Sequence, residues 1–410
     1  MKKTFLLSCL MLAAMPVMAA YTGHVYVDKN KNGVFDQSEK PLAGIKVSDG
    51  LNVVETAADG SFTLPGHERE RFIFITTPSG YKTFNRHYHK IEKKQSGYDF
   101  GLIPYSGRIR KNGSHRYIHI TDTEIFNTEN HADWVNNVRD YARNEQAAFI
   151  IHTGDICYEK GLKAHIKLMN TENMDCPVFY CIGNHDLVKG KYGEELFESI
   201  YGPVYYSFDA GNVHYVVTPM PGGDHAPGYT SDDVCRWLKN DLAHIRPGTP
   251  VVVFNHDLLT YEDTFIFKSK NAGSINLNEY NLKAWVYGHW HINYMKKQGD
   301  VYSVCTSSLD KGGIDHSTTA FRVMHVDSKG DFTSELRYTY LDKNICIASP
   351  AGVMASGVLP VAVNVYSSVS PVREVLYTCL ADGKPVLKNK RLLQSTDWSW
   401  NGELPLSHKY

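Results

Sequence analysis

From about residue 115 to 345, short apolar runs alternate with stretches whose apolar positions recur at helical spacing. The runs are Tyr117–Ile120, Ala147–Ile151, Val178–Ile182, Val213–Val217, Val251–Phe254 and Ala284–Tyr287, each of strand length. Between them, the stretch from Asp133 to Arg143 places Trp134, Val138 and Tyr141 on one helical face. Ser231 is placed to cap a helix whose stripe is Val234, Trp237, Leu238 and Leu242. Strands alternating with helices predict an α/β domain over residues 106–345. On its N-terminal side, residues 21–105 carry the strand patterns Thr22–Val27, Gly44–Val47, Ser61–Leu64 and Phe72–Thr76, punctuated by Asp-Gly and Pro-Ser-Gly turns. They predict a small β-sandwich. Residues 346–410 return to short β patterns, such as Val361–Tyr366 and Glu374–Leu380, and predict a compact β domain.

Polar residues are not scattered among the central strands. Five apolar runs end in bursts of metal-ligand residue types: Asp122-Thr123-Glu124, Gly154-Asp155-Ile156-Cys157-Tyr158, Gly183-Asn184-His185-Asp186, Asn255-His256-Asp257 and Gly288-His289-Trp290-His291. In open α/β sheets, ligands collect at the carboxyl ends of strands, so the five bursts converge on one place. Hydrolysis of a phosphate ester needs a nucleophile that is strong at neutral pH and positive charge facing the phosphoryl oxygens. Two cations about 3.5–4 Å apart supply both by acidifying a bridging water and binding the ester. Holding cations that close calls for a shared anionic ligand, with carboxylate, amide and imidazole donors around it. The chain has no Cys-x-x-Cys pair, so a structural zinc site is not indicated.

The order of these motifs resembles that of the calcineurin-like metallophosphoesterases, and Tyr158 points to their purple acid phosphatase branch. The layout is similar to that of exported bacterial members with an N-terminal and a C-terminal β domain. The resemblance implies an α/β/β/α central domain, a β-sandwich flanked by helices. It implies that Asp155 bridges two metals, that Asp122 and His291 bind the first, and that Asn184, His256 and His289 bind the second. It also implies that His185 touches the phosphate and protonates the leaving oxygen, with Asp186 orienting it. The first motif departs from the commonest family form, which has His where Glu124 stands. Either Glu124 or Tyr158 completes the first metal's ligands; a Tyr158 phenolate would imply iron. The metals expected are iron, zinc, manganese or nickel.

Other polar residues carry plainer readings. His119, His152 and His214 lie in or beside strands and read as packed or supporting groups. His225 lies in the Gly/Pro-rich segment Pro219 to Tyr229, which is either a substrate cover or a mobile connection. Cys157 is expected to point away from Asp155 and Tyr158. In the N-terminal domain, Asp28, Asn30, Asn32, Val34, Asp36 and Glu39, with Gly33 at the tight turn, match the spacing of a twelve-residue calcium loop. No helix precedes it. It resembles the calcium-binding loop of bacterial B-type surface-protein repeats, and a polar turn is the alternative.

Composition narrows the class further. A net charge of -1 offers no basic surplus for nucleic acid or an anionic membrane, so selectivity rests on a local site. Residues 1–20 read as a secretory signal: Lys2 and Lys3, then the apolar stretch Phe5 to Met18, then small residues. The expected location is therefore exported, periplasmic or secreted; the residues leading to Cys9 resemble a lipoprotein box only faintly. Seven cysteines follow, an odd number that leaves a free thiol in the monomer, and Cys176 and Cys181 lie too far apart along an extended strand to pair. The expected activity is hydrolysis of phosphate mono- or diesters on small molecules or surface polymers. The alternatives are a nucleotidase or pyrophosphatase, and a surface or binding protein with weakened turnover.

Overall fold

Tyr117 and Phe149 lie side by side on neighbouring parallel strands, their rings stacked 4.7 Å apart, and their side of the sheet faces a second sheet. The structure, a computed structural model, describes residues 20–95, 97–350, 352 and 357–406. Apart from residue 20, the segment read as a signal lies outside the described residues. The first sheet contains β1 (His115–Ile120), β2 (Phe149–His152) and β3 (Val178–Tyr180) in parallel, linked through α1 (Ala132–Asn144) and α2 (Tyr158–Leu168). The second contains β4 (Tyr206–Ala210), β5 (Val213–Val217), β6 (Val251–Phe254), β7 (Leu282–Tyr287), β8 (Tyr294–Gln298) and β9 (Val301–Cys305). Its order is β4-β5-β6-β7-β9-β8, with antiparallel edges around a parallel centre. Two later strands, β10 (Ala320–Val326) and β11 (Phe332–Tyr338), return to the first sheet beside β1, giving the order β3-β2-β1-β10-β11.

Strand alternation sorts the side chains into two cores. Tyr117, Phe149 and Ile151 join Phe208, Tyr215 and Phe254 between the sheets. Ile118, Ile120 and Ile150 point the other way, onto Trp134 and Val138 of α1. Helix α3 (Ser231–Ala243) covers the second sheet with Trp237 and Leu238; Thr230, rather than Ser231, caps it by accepting from Asp233 N–H. This is the mixed-sheet sandwich with flanking helices that the alternating pattern and the resemblance implied.

The N-terminal β strands are not an independent ball. In Phe72–Ile75, Ile73 and Ile75 enter the local core with Val25, Val47, Leu64 and Leu102. Phe72 and Phe74 enter the core of the central domain, where Phe74 lies 6.3 Å from Trp237 of the covering helix. Burying each of these two rings contributes about 1.5–3 kcal/mol. Arg71 adds ion pairs to buried Glu194 and Glu198, at 2.7 and 2.9 Å. At the other end, the strand Gly357–Ser367 pairs with Lys343–Ser349 and Ser399–Leu406 over a core of Val361, Val363, Leu392 and Trp400. Trp398 and Tyr366 clasp Tyr338 of β11. The seven described cysteines are free thiols, and Cys176 and Cys181 are both buried.

Candidate metal centre

At the carboxyl ends of β1, β2, β3, β6 and β7 the backbone turns sharply. Seven residues there hold left-handed conformations: Asp122 (φ 50°), Glu124 (45°), Asp155 (55°), Cys157 (74°), Tyr158 (54°), His289 (65°) and His291 (49°). Such geometry costs a non-glycine residue about 1–3 kcal/mol, so the rest of the fold must hold it in place. Close approach at the same spot demands glycine. A Cβ on Gly183 would lie 2.2 Å from Asp155 Oδ1, and one on Gly288 would lie 1.9 Å from Thr121 Oγ1.

These turns bring ligand atoms from both sheets together. Asp122 Oδ1 lies 3.2 Å from His291 Nε2 and 4.0 Å from His256 Nε2; Asp155 Oδ2 lies 3.1 Å from His256 Nε2. The ligand atoms of Asp155, His256 and His289 all fall within 4.8 Å of one another. Glu124 joins through Oε1, 3.4 Å from His291 Nε2, while its other oxygen pairs with Lys311. Asn184 opens a short 3-10 turn, Asn184–Asp186, at the same place. Asp122 Oδ1, Asn184 Oδ1 and His256 Nε2 are buried with no hydrogen-bond partner among the described residues. Leaving a buried polar atom unsatisfied costs about 1–3 kcal/mol, and cations among these three atoms would answer all of them. The hard carboxylate and amide oxygens and the imidazoles suit divalent or trivalent transition metals, so the donor set fits.

The supporting contacts aim the ligands. His256 Nδ1 donates to the Thr153 carbonyl at 2.7 Å, which turns Nε2 toward the carboxylates. Burial opposes a charge on this ring, yet Asp155, Asp122 and the Thr153 carbonyl raise its pKa to about 10. Burial likewise works against the Asp155 carboxylate, and His256 with the His185 N–H holds its pKa down. The Asp122 carboxylate, 3.2 Å from Nε2, raises the pKa of His291 against the effect of burial. His119 lies between Thr153 and Thr306, His152 meets Thr123, and His214 bridges Asp209 and Asp241; all three are packed, as read from sequence.

Several expectations need correcting. Asp186 does not orient His185. It is buried, accepts from Cys157 N–H at 2.8 Å and Gly183 N–H at 2.9 Å, and thereby ties the second motif to the third. Successive residues of a 3-10 turn project about 120° apart, so Asp186 faces inward while His185 faces the opening. Burial and the Asp155 charge raise the Asp186 pKa to about 6. The partner of His185 is Asp224, whose Oδ2 lies 2.9 Å from His185 Nδ1. Asp224 belongs to the Pro219–Tyr229 segment, which is held down by its own N–H on the Asn184 carbonyl, 3.1 Å. His225, the residue of that segment singled out from sequence, is exposed. Cys157 does not point away: its sulfur lies within 4.8 Å of ligand oxygens of Asp155 and Glu124, in a turn where Asp155, Cys157 and Tyr158 all hold positive φ. Tyr158 begins α2 with 44% of its surface exposed, its ring beside Phe126 and His185.

The N-terminal polar loop also folds around its own side chains. Asp28 accepts from Asn32 and Gly33 N–H, and Glu39 accepts from Lys29 and Asp36 N–H. The amides of Asn30 and Asn32 both donate to Asp36 Oδ2, at 2.7 and 3.1 Å, and the Val34 side chain is exposed.

Comparison with known proteins places these features. Residues 29–104 match the family model "N terminal of Calcineurin-like phosphoesterase", and residues 115–293 match "Calcineurin-like phosphoesterase". Purple acid phosphatase 13 of Arabidopsis thaliana is 26% identical over 215 residues, 49% of this chain and 36% of that protein, so the chain spans about a third of that relative's length. Among solved structures, a dimetal phosphatase from Danio rerio is similar at 12% identity, over 53% of this chain and 98% of that one, with a TM-score of 0.34. A putative 5'-nucleotidase from Staphylococcus aureus is similar at 13% identity, over 55% and 54% of the two chains, also with a TM-score of 0.34. With the two family models together matching more than half of its residues, and the five motifs gathered at one edge of the sandwich, the chain belongs to the calcineurin-like phosphoesterases.

Proposed function

We propose that this protein is an exported, two-metal phosphoesterase that hydrolyses phosphate mono- or diesters. The observation that carries the reading is the trio of buried, unpartnered atoms, Asp122 Oδ1, Asn184 Oδ1 and His256 Nε2, gathered with Asp155. Asp155 is the shared anion, with Asp122 and His291 on one side and Asn184, His256 and His289 on the other. Glu124, rather than Tyr158, completes the first set, because its carboxylate lies against His291 whereas Tyr158 is half exposed beside Phe126. Cations held there would supply Lewis acidity to the phosphoryl oxygens and to the attacking water. His185, anchored through its backbone N–H to Asp155 and through Nδ1 to Asp224, presents Nε2 for proton delivery to the leaving oxygen. Burial opposes a charge on its ring, but the hydrogen bond to Asp224 and the nearby carboxylates raise its pKa, favouring the protonated donor.

Two further elements belong to the same reading. The loop from Asp28 to Glu39 binds a structural calcium ion, supported by the convergence of its side chains around Asp36. Export rests on the pattern of residues 1–20; among the described residues, no helix is long and apolar enough to cross a membrane. Elemental analysis of protein purified without chelator, followed by assays on paired monoester and diester substrates, tests the proposal. About two transition-metal ions per chain and turnover of at least one substrate are expected. A stoichiometry of one or zero after reloading would overturn the two-metal reading.

A further inference from the structure

Beside the candidate centre lies an open groove of about 580 Å³ that His289 and His291 themselves help to line. A group esterified to a phosphate held at that centre therefore has this groove beside it. Its other surfaces are largely apolar and aromatic. Trp290 is fixed by its indole N–H, which donates to Asp257 Oδ1 at 3.0 Å, and by an edge contact with Tyr287, centroids 5.2 Å apart. Tyr261 lies at 27° to the Trp290 ring, 5.8 Å away, yet is 73% exposed; Ile314, also lining the groove, is 75% exposed. Large apolar surfaces left bare next to a polar centre mark a ligand contact more than a folding contact. Asp257 is the acidic side chain lining the groove, and it would repel a second anionic group.

We propose that this groove binds an uncharged, planar ring system carried by the phosphoester, stacked on Tyr261 and Trp290. A nucleobase and a simple aryl group share that chemistry, whereas a second phosphate does not. The inference rests on the phosphoesterase reading and narrows its substrate class. One stacked ring is worth about tenfold in kcat/KM.

The test uses the full chain loaded with metal. Adenosine 5'-monophosphate is compared with ribose 5-phosphate, and benzyl phosphate with cyclohexylmethyl phosphate; within each pair the leaving alcohols are chemically alike. The ring-bearing member of at least one pair should be favoured about tenfold, and which pair shows it distinguishes nucleobase from aryl group. Tyr261→Ala and Ile314→Ala should bring that ratio toward one, with melting temperature showing that these exposed positions leave the fold intact. Equal kcat/KM within both pairs, or an undiminished ratio in Tyr261→Ala, would overturn the proposal. If no substrate turns over, the phosphoesterase reading fails. Equilibrium dialysis of adenosine 5'-monophosphate against ribose 5-phosphate then decides the groove: equal binding, or binding that Tyr261→Ala does not weaken, overturns it.

Discussion

Replacing His185 by Ala separates proton delivery from metal binding. The side chain is not among the proposed ligands, and among the described residues its imidazole makes one polar side-chain contact, to Asp224. His185→Ala should therefore keep both metals and the fold while losing about 10²–10⁴-fold in turnover on a substrate with a poor leaving group, the usual range for a general acid. Asp224→Asn tests the contact that aims the ring. Both partners are over a third exposed, at 35% and 38%, so solvent screening limits the pair to about 0.5–1 kcal/mol. That corresponds to about a two- to fivefold loss in kcat, far smaller than the loss of the imidazole itself. Asp155→Ala, by contrast, removes the anion proposed to be shared by both ligand sets and should lower metal occupancy as well as rate. The assay is kcat against leaving-group basicity, with metal content measured by elemental analysis on the same preparations. A good leaving group needs little protonation, so the His185 defect should shrink across the series. His185 is not the proton donor if His185→Ala loses metal as badly as Asp155→Ala, or turns over the poorest leaving group at the normal rate.

Glu124→Gln should weaken metal retention, whereas Tyr158→Phe should leave both metal content and visible absorption unchanged; a charge-transfer band abolished by Tyr158→Phe would assign the ligand to the phenol instead. Chelating calcium, or combining Asp28→Ala with Glu39→Ala, should lower the melting temperature without abolishing turnover, since an ion bound only by the folded loop stabilises by mass action. Unchanged melting in the double variant would leave the loop a polar turn. Burial holds the pKa of His115 down to about 4 and those of His119 and His165 to about 3. The unfolded chain takes up these protons below about pH 6.5 while the fold does not, so stability should fall as pH drops from about 6.5 toward 4. The slope approaches about 1.4 kcal/mol per pH unit for each histidine, and urea midpoints measured across this range should show it. Histidine contributions are absent if stability is flat there.

The strand-and-helix alternation of the central domain was readable from the chain because burial imposes a period of two on a strand and 3.6 on a helix, whatever lies around it. The same logic located Asp122, Asp155, Asn184, His256, His289 and His291, since each follows directly on an apolar run. Such local patterns cannot report contacts between distant segments. The Asp224 carboxylate meets His185 across 39 positions of sequence, and Lys311 meets Glu124 across 187. Nothing periodic distinguishes Gly-Gly-Asp-His from any polar loop. Local pattern was also silent where the backbone left the strand: in the positive-φ turn after β2 the thiol of Cys157 lies near the carboxylates, and the 3-10 turn sends Asp186 inward, away from His185. Phe72 and Phe74 show the same division at the level of domains. Their apolar character alone required burial, but only the packed structure decided that they would be buried in the core of the central domain rather than within their own. Which residues must be buried and which could ligate follow from single side chains and local periods, so the chain alone carries them. Tertiary structure decided who meets whom, because that depends on how strands from two sheets and one overlying loop close on the same few ångströms.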